Sequence, residues 1–241
     1  MIAAVIFDLD GLLVDTEIIS YQIYKEMLSE YGYEFTREDY AKNYSGKSEL
    51  SNLAYLIETY KLSWTIEEGL GRVRILENRF LSQGVDLKPG ARELLSYLKE
   101  NGYKIAIASS STEDRALNML RQHHIIDYFD EFVFGSEVQK GKPNPDIFLK
   151  ACEKIMEKPE NCLVLEDSEA GIQAAYNAGI LVICIPDMKK PAKQFLDKTT
   201  AVFDSLDKVI LYLSGSLRCR YGISRNEKSY KCMRIKYEKD I

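Results

Sequence analysis

An uninterrupted apolar run, Ala3-Ala4-Val5-Ile6-Phe7, ends abruptly in two carboxylates two residues apart, Asp8 and Asp10, with Gly11 behind them. A strand that is apolar on both faces suits the middle of a parallel sheet covered on each side. Gly11 lets the chain turn there, so both acids belong just beyond the carboxyl end of that strand. Open α/β sheets place their ligands at this edge. Two like charges at a buried strand tip are unfavourable unless a cation or a shared proton relieves them. A hard divalent ion such as Mg2+ takes such oxygen ligands. An ordinary Asp-Gly turn has the same local sequence, so the rest of the chain must decide between the two.

From Asp15 to Val85 the sequence carries helical spacing and nothing strand-like. Ile18, Ile19, Ile23, Met27 and Leu28 recur on one face up to Gly32. Thr36, with Glu38 and Asp39, opens a short helix, and Tyr44-Ser45-Gly46-Lys47-Ser48 reads as a loop. Two further helices are expected, over 49–60 and 65–83. From Ala91 onward, helices alternate with short apolar strands: Lys104–Ser109, Phe132–Phe134, Cys162–Leu165, Leu181–Ile185 and a short piece at 201–203. That alternation predicts a doubly wound parallel α/β sheet. The expected organisation is a Rossmann-like core of 1–15 and 86–217, an all-α insert of 16–85, and a basic extension of 218–241. The extension carries eight basic residues against three acidic ones and little periodicity, and is expected to be a solvated tail.

The chain of 241 residues has a net charge of -5, which gives no reason to expect nucleic acid or an acidic membrane surface as partner. The start lacks a basic region before its apolar run and meets Asp8 too soon for a signal peptide. No apolar stretch is long enough to span a bilayer. The five cysteines form no C-x-x-C pair, and buried free thiols in a reducing compartment are expected. A cytoplasmic monomer that acts on a small molecule is the expectation.

Three more polar groups stand at strand ends. Ser109 closes the second strand, with Ser110 and Ser111 before a helix, and hydroxyl and backbone N–H groups there suit a phosphate oxygen. A helix cap would look the same. Lys142 precedes the stiff segment Pro143-Asn144-Pro145. A lysine held there can neutralise phosphate charge and an attacking carboxylate; Lys140 is its competitor. Glu166 and Asp167 end the fourth strand. If that strand lies beside the first, Asp8, the Asp10 carbonyl and Asp167 can share one Mg2+, with Glu166 close by.

Taken in order, Asp-x-Asp-Gly, a strand-terminal Ser, Lys-Pro and a strand-terminal Glu-Asp resemble the haloacid dehalogenase superfamily of phosphatases and phosphomutases. The all-α insert is similar to the helical cap of the branch that includes beta-phosphoglucomutase. So are Lys142-Pro143-Asn144-Pro145-Asp146-Ile147-Phe148 and the segment from Leu165 to Ala175. The resemblance implies that Asp8 is the nucleophile, accepting the phosphoryl group as an aspartyl phosphate, and that Asp10 is the acid and base. It implies that Ser109 and Lys142, with Ser110 adjacent, hold the phosphoryl oxygens. Asp8, the Asp10 carbonyl, Glu166 and Asp167 would hold Mg2+. Asp10 also argues against carbon–halogen cleavage, because the superfamily's dehalogenases need no acid for a halide and lack an Asp there. Selectivity is assigned to Glu17, Tyr44, Ser45, Gly46 and Lys47 of the cap. Two departures favour hydrolysis over mutase chemistry. Ser20 stands where the mutases carry a His, and Glu49 where an Arg grips the second phosphate of a bisphosphate. A phosphatase of sugar phosphates or nucleoside monophosphates is therefore expected, with the phosphomutase as the alternative.

Overall fold

The computed structural model describes residues 1–216, so the reading of the basic tail falls outside the described residues. Six strands form one parallel sheet in the order β3-β2-β1-β4-β5-β6. They are β1 (Ala4–Phe7), β2 (Lys104–Ser109), β3 (Glu131–Phe134), β4 (Cys162–Glu166), β5 (Leu181–Cys184) and β6 (Ala201–Val202). The expected α/β class is thus the observed one. β1 pairs with β2 on one side and β4 on the other, with Phe7 level with both Ile107 and Leu165. The chain winds outward in both directions from β1, which puts the topological switch point at the tips of β1 and β4.

Alternation along the strands sorts the core into two faces. Val5, Phe7, Ile105, Ile107, Leu163, Leu165 and Ile183 belong to one buried cluster. It includes α5 (Ala91–Glu100), α6 (Glu113–Gln122) and α10 (Asp207–Leu213) through residues such as Leu94, Leu120 and Val209. Ala4, Ile6, Ala106, Ala108, Val164 and Val182 face the other way, with α7 (Asp146–Lys154), α8 (Glu169–Asn177) and the short α9 (Lys193–Leu196). Sequence reading does not find α9 and α10, since seven residues or fewer span too little of the helical period to register, and neither has the side-chain cap that marks the equally short α2 at Thr36.

Between β1 and α5 lie only helices: α1 (Thr16–Ser29), α2 (Arg37–Asn43), α3 (Glu49–Tyr60) and α4 (Ile66–Ser82). Capping boxes start two of them, Thr36 with Asp39 and Thr65 with Glu68, each satisfying two helix-end N–H groups. Tyr24, Phe35, Tyr40 and Tyr44 pack ring to ring inside the insert, with Phe35 and Tyr44 5.3 Å apart. The two connections to the core run side by side. Asp15 donates its N–H to the Asp86 carbonyl at 2.9 Å, and Lys88 to that of Leu13 at 3.0 Å. Leu9, Leu12, Leu13 and Val14 are fully buried. At roughly 2 kcal/mol per buried aliphatic side chain, they anchor the loop that carries Asp8 and Asp10. Among the described residues no helix is long and apolar enough to cross a membrane. Cys152, Cys162 and Cys184 are free and buried.

Candidate active site

The tips of β1, β2 and β4 converge on one point because the three strands are neighbours in register. Asp8 follows β1 directly, and its N–H is fixed by the Leu165 carbonyl of β4 at 3.1 Å. Asp8 is 7% exposed, Ser109 at the end of β2 is 1%, and Glu166 at the end of β4 is 0%. Lys142 reaches in between them. Its ammonium is ion-paired with Asp8 Oδ1, and lies 2.6 Å from Glu166 Oε1. The ring of Phe148 lies beneath that ammonium at 4.9 Å from its centroid. Burial alone would strip Lys142 of its proton, but Asp8 and Glu166 hold its pKa above the usual lysine range.

Glu166 is held so that it cannot swing. Its Oε2 accepts from the N–H groups of Asp167 and Ser168, both at 3.1 Å, and from the Ser168 hydroxyl at 3.0 Å. Ser168 Oγ also caps α8 by accepting from Gly171 N–H at 3.0 Å. A Cβ on Gly171 would overlap the Glu166 carboxylate itself, so only glycine leaves room. Gly171→Ala should therefore lower the melting temperature by roughly 5–10 °C, the equivalent of about 2–3 kcal/mol of overpacking in a chain of this size. An unchanged thermal unfolding curve would show that the carboxylate has other room. Gly11, at φ +79°, has the same role in front: a Cβ there would lie 2.7 Å from Asp167 Oδ2.

Asp10 is held apart from this pair. Its Oδ1 accepts from Arg115 Nη1 at 2.6 Å and its Oδ2 from the Ser111 hydroxyl at 2.6 Å. Arg115, on α6, also meets Glu77 of α4 at 3.2 Å, so it ties the insert to the acid. Burial pushes the Asp10 pKa up, but Arg115, Ser111 and Thr16 outweigh it and hold the group below the usual carboxylate range. Asp8 goes the other way. Burial, with Glu166 and Asp10 nearby, raises it to about 7 against the pull of Lys142. Asp167 is raised well above its ordinary value by burial and then by Glu166, Asp8 and Asp187. Two aspartates two residues apart thus have opposed proton affinities.

Asp8, Glu166 and Asp167 each offer a carboxylate oxygen, and the three lie within 4.8 Å of one another. Two buried acids and the partly buried Asp167 face one lysine and leave a local excess of negative charge, which fits a hard divalent cation. The Asp10 carboxylate is not among these oxygens, because Arg115 and Ser111 take it up.

All of this opens into a cavity of about 430 Å³. Asp8, Asp10, Ser109, Ser110, Lys142 and Asp167 line its floor, and Glu17, Ser45, Gly46 and Lys47 reach it from the insert. Lys47 is turned away, its ammonium 2.5 Å from the Asn43 carbonyl and 5.3 Å from the centre of the Tyr55 ring. Tyr44 is not in the lining. It is 2% exposed, within the aromatic core of the insert, because the loop that follows α2 turns its ring inward against Phe35 and Tyr40.

Beyond geometry, residues 5–185 match the haloacid dehalogenase-like hydrolase family. The chain is a haloacid dehalogenase-like hydrolase. Among its relatives, a phosphorylated carbohydrates phosphatase of Thermotoga maritima is 38% identical over 177 residues, 73% of this chain and 82% of that protein. The beta-phosphoglucomutase of Bacillus subtilis is 34% identical over 186 residues, 75% of this chain and 81% of its own length. A solved haloacid dehalogenase family hydrolase of Deinococcus radiodurans, with bound phosphate and sodium, superposes with a TM-score of 0.79. It is 27% identical and covers 89% of this chain and 96% of that one. The resemblance read from the motifs is therefore correct at the level of the family.

Sequence reasoning missed several residues of this hydrolase's site. Asp187, on the loop after β5, lines the cavity and pairs with Lys88 at 2.5 Å. It too is an acid just past a strand, in Ile185-Pro186-Asp187, so the rule that found Asp167 could have found it. Arg115 has no such signal. It is one of several charges on an amphipathic helix, and only the fold brings it to Asp10.

Proposed function

We propose that the chain is a Mg2+-dependent phosphatase that hydrolyses small phosphate monoesters, of the sugar phosphate or nucleoside monophosphate class, through an aspartyl phosphate on Asp8. The observation that carries this reading is the separation of the two aspartates: Asp8 is paired with Lys142, while Asp10 is held by Arg115 and Ser111 on the same cavity. A carboxylate can be a phosphoryl acceptor when charge around it is neutralised. Asp8 attacks phosphorus, and the leaving alkoxide takes a proton from Asp10. Water then attacks the aspartyl phosphate, with Asp10 receiving its proton, and inorganic phosphate leaves. Lys142 and the Ser109 hydroxyl, with N–H groups at the start of α6, hold the phosphoryl oxygens. Mg2+, held by Asp8, Asp167, Glu166 and the Asp10 carbonyl, would supply the remaining positive charge.

The helical insert, about 16–85, would act as a cap whose paired connections near Asp15 and Asp86 let it close and exclude water. Similarity to a beta-phosphoglucomutase supports a second reading, in which a sugar hydroxyl replaces water. Glu49 at the start of α3 weighs against it, since a bisphosphate must be gripped by its second phosphate. A phosphate-release screen over sugar phosphates and nucleoside monophosphates, with a parallel assay for conversion of glucose 1-phosphate to glucose 6-phosphate, tests both. Conversion without phosphate release would replace the first reading by the second.

The metal has a consequence for stability. Folded-state pKa values of Asp8 and Asp167 lie above their unfolded values, so both groups take up protons on folding. The contribution of these two groups to metal-free stability is therefore greatest at low pH and falls as pH rises from about 4 towards 7. Mg2+ needs the ionised carboxylates, so it should restore at high pH what proton loss removes. At a hundredfold excess over Kd the gain is about 2.7 kcal/mol, or roughly 5–10 °C at this size. Thermal unfolding should show that shift at pH 8 and little of it at pH 5. Asp167→Asn should abolish it, and equal shifts at both pH values would contradict a site built on these acids.

A further inference from the structure

A second chamber, of about 100 Å³, opens within the insert between α1, α3 and α4. It shares Glu17 and Lys47 with the main cavity, and Ser20, Tyr24, Tyr40, Glu49, Asn52 and Glu77 complete its polar lining. Three carboxylates thus face one cation, and that cation is engaged elsewhere. Lys47 donates to the Asn43 carbonyl and lies over Tyr55. Glu77 is balanced by Arg115, which Asp10 also holds. Glu17 and Glu49 have no ion pair of their own among the described residues.

The neutral groups point the same way. Asn52 is only 4% exposed, and its Nδ2 donates to the Tyr44 carbonyl at 3.0 Å. Its Oδ1 is buried with no donor, and so is Glu17 Oε2. A buried acceptor left without a donor is costly, and a ligand that supplies the hydrogen relieves it. Burial, with Asp187 and Asp10 nearby, raises the Glu17 pKa against hydrogen bonds from Ser45 and Tyr40, and partial desolvation with Glu77 nearby raises that of the more exposed Glu49 against Arg74 and Arg115. A wall of that kind gains from hydroxyl hydrogens and loses from any added anion.

We propose that this chamber is the leaving-group pocket, and that it selects phosphate monoesters whose alcohol part is neutral and rich in hydroxyl groups while refusing those with a second anionic group. The idea rests on the phosphatase reading and narrows its substrate class. Hydroxyl groups of the alcohol would donate to Asn52 Oδ1 and Glu17 Oε2. A carboxylate or second phosphate would stand against Glu17 and Glu49, where Lys47 and Arg115 are engaged and Arg74, exposed on α4 and outside the lining, already acts on Glu49. Rejection of this kind can be strong, because a site built to receive hydrogens leaves its own polar groups unpaired when they are missing.

Matched substrates test this, since they share a carbon skeleton and a phosphorylated position. Sorbitol 6-phosphate and 6-phosphogluconate form one such pair, and glycerol 3-phosphate and 3-phosphoglycerate another. In the full chain with Mg2+ at pH 7.5, kcat/KM should favour the neutral member of each pair by tenfold or more. Glu49→Gln should narrow that ratio at least fivefold by improving the anionic member, and Glu17→Gln should narrow it as well. Glu49 is exposed in the first turn of α3, so the variant is expected to fold. A merely structural effect would lower both members alike and leave the ratio where it was. Wild-type indifference within the pairs, or an unchanged ratio in both variants, would overturn the proposal. p-Nitrophenyl phosphate separates the two levels of failure. Its hydrolysis alongside indifferent pairs sinks only the pocket, whereas no phosphate from any monoester removes the phosphatase reading and the pocket with it.

Discussion

Asp8→Asn should reduce phosphate release by about 10⁴-fold or more, to the level of a blank, without loss of the fold. The amide carries no negative charge to attack phosphorus, and neither Glu166 nor Asp10 is placed to substitute. Glu166 is locked by Lys142, Ser168 and two backbone N–H groups, and Asp10 is held by Arg115 and Ser111. Losses of this size are typical when a covalent nucleophile is removed from a site whose parts act together. Stability should move in the opposite direction. Burial and neighbouring acids raise the Asp8 pKa to about 7, so its charge opposes folding at neutral pH and above. The metal-free Asn variant should then melt no lower than the wild type at pH 8, and Lys142 keeps Glu166 as its partner. Phosphate assays and thermal unfolding on the same preparation read both effects. Activity above about one per cent of wild type would place the nucleophile elsewhere.

Why some of this site was legible in the sequence and some was not follows from how the chain builds it. Asp8, Ser109, Glu166 and Asp167 stand at the ends of apolar runs, and a parallel sheet brings the ends of its strands to one edge. Their convergence follows once β2 and β4 are neighbours of β1. Lys142 was marked by the prolines that follow it. Arg115 and Glu77 belong to different helices, α6 of the core and α4 of the insert, and their meeting depends on how the insert sits on the core, which no local pattern encodes. Tyr44, expected at the cavity, lies inside the insert for a related reason. Its neighbours Ser45, Gly46 and Lys47 do reach the cavity, but one residue earlier the chain still points into the insert. Period and turn residues mark where a loop lies, not which side chains it turns inward. Sheet order beyond β4 was equally silent in the sequence, because apolar strands of four residues carry no mark of their neighbours.

Asp10→Asn should produce a loss that depends on what is leaving. A sugar alkoxide departs poorly unless it is protonated, while nitrophenolate departs readily without help. General acid catalysis is worth about 10² to 10⁴-fold, so kcat/KM for a sugar phosphate should fall by that much. For p-nitrophenyl phosphate it should fall by less than about tenfold, because kcat/KM reports only steps up to departure of the alcohol. The second half-reaction adds a separate sign. Water attacking the aspartyl phosphate must give up a proton, and an amide in place of Asp10 cannot receive it. With the aryl substrate the variant should therefore load Asp8 quickly and clear it slowly. Nitrophenolate should appear as a burst of about one equivalent per enzyme, followed by a slow phase, as expected for an accumulating covalent intermediate. Arg115 and Ser111 hold Asp10 ionised and aside in this structure, which is the form that water activation uses. For the first step the incoming phosphate's own charge raises the proton affinity of Asp10, so one residue can serve both halves. Equal losses on the two substrates, with no burst, would assign Asp10 a role in binding and leave the proton donor to be found among the other residues of the cavity.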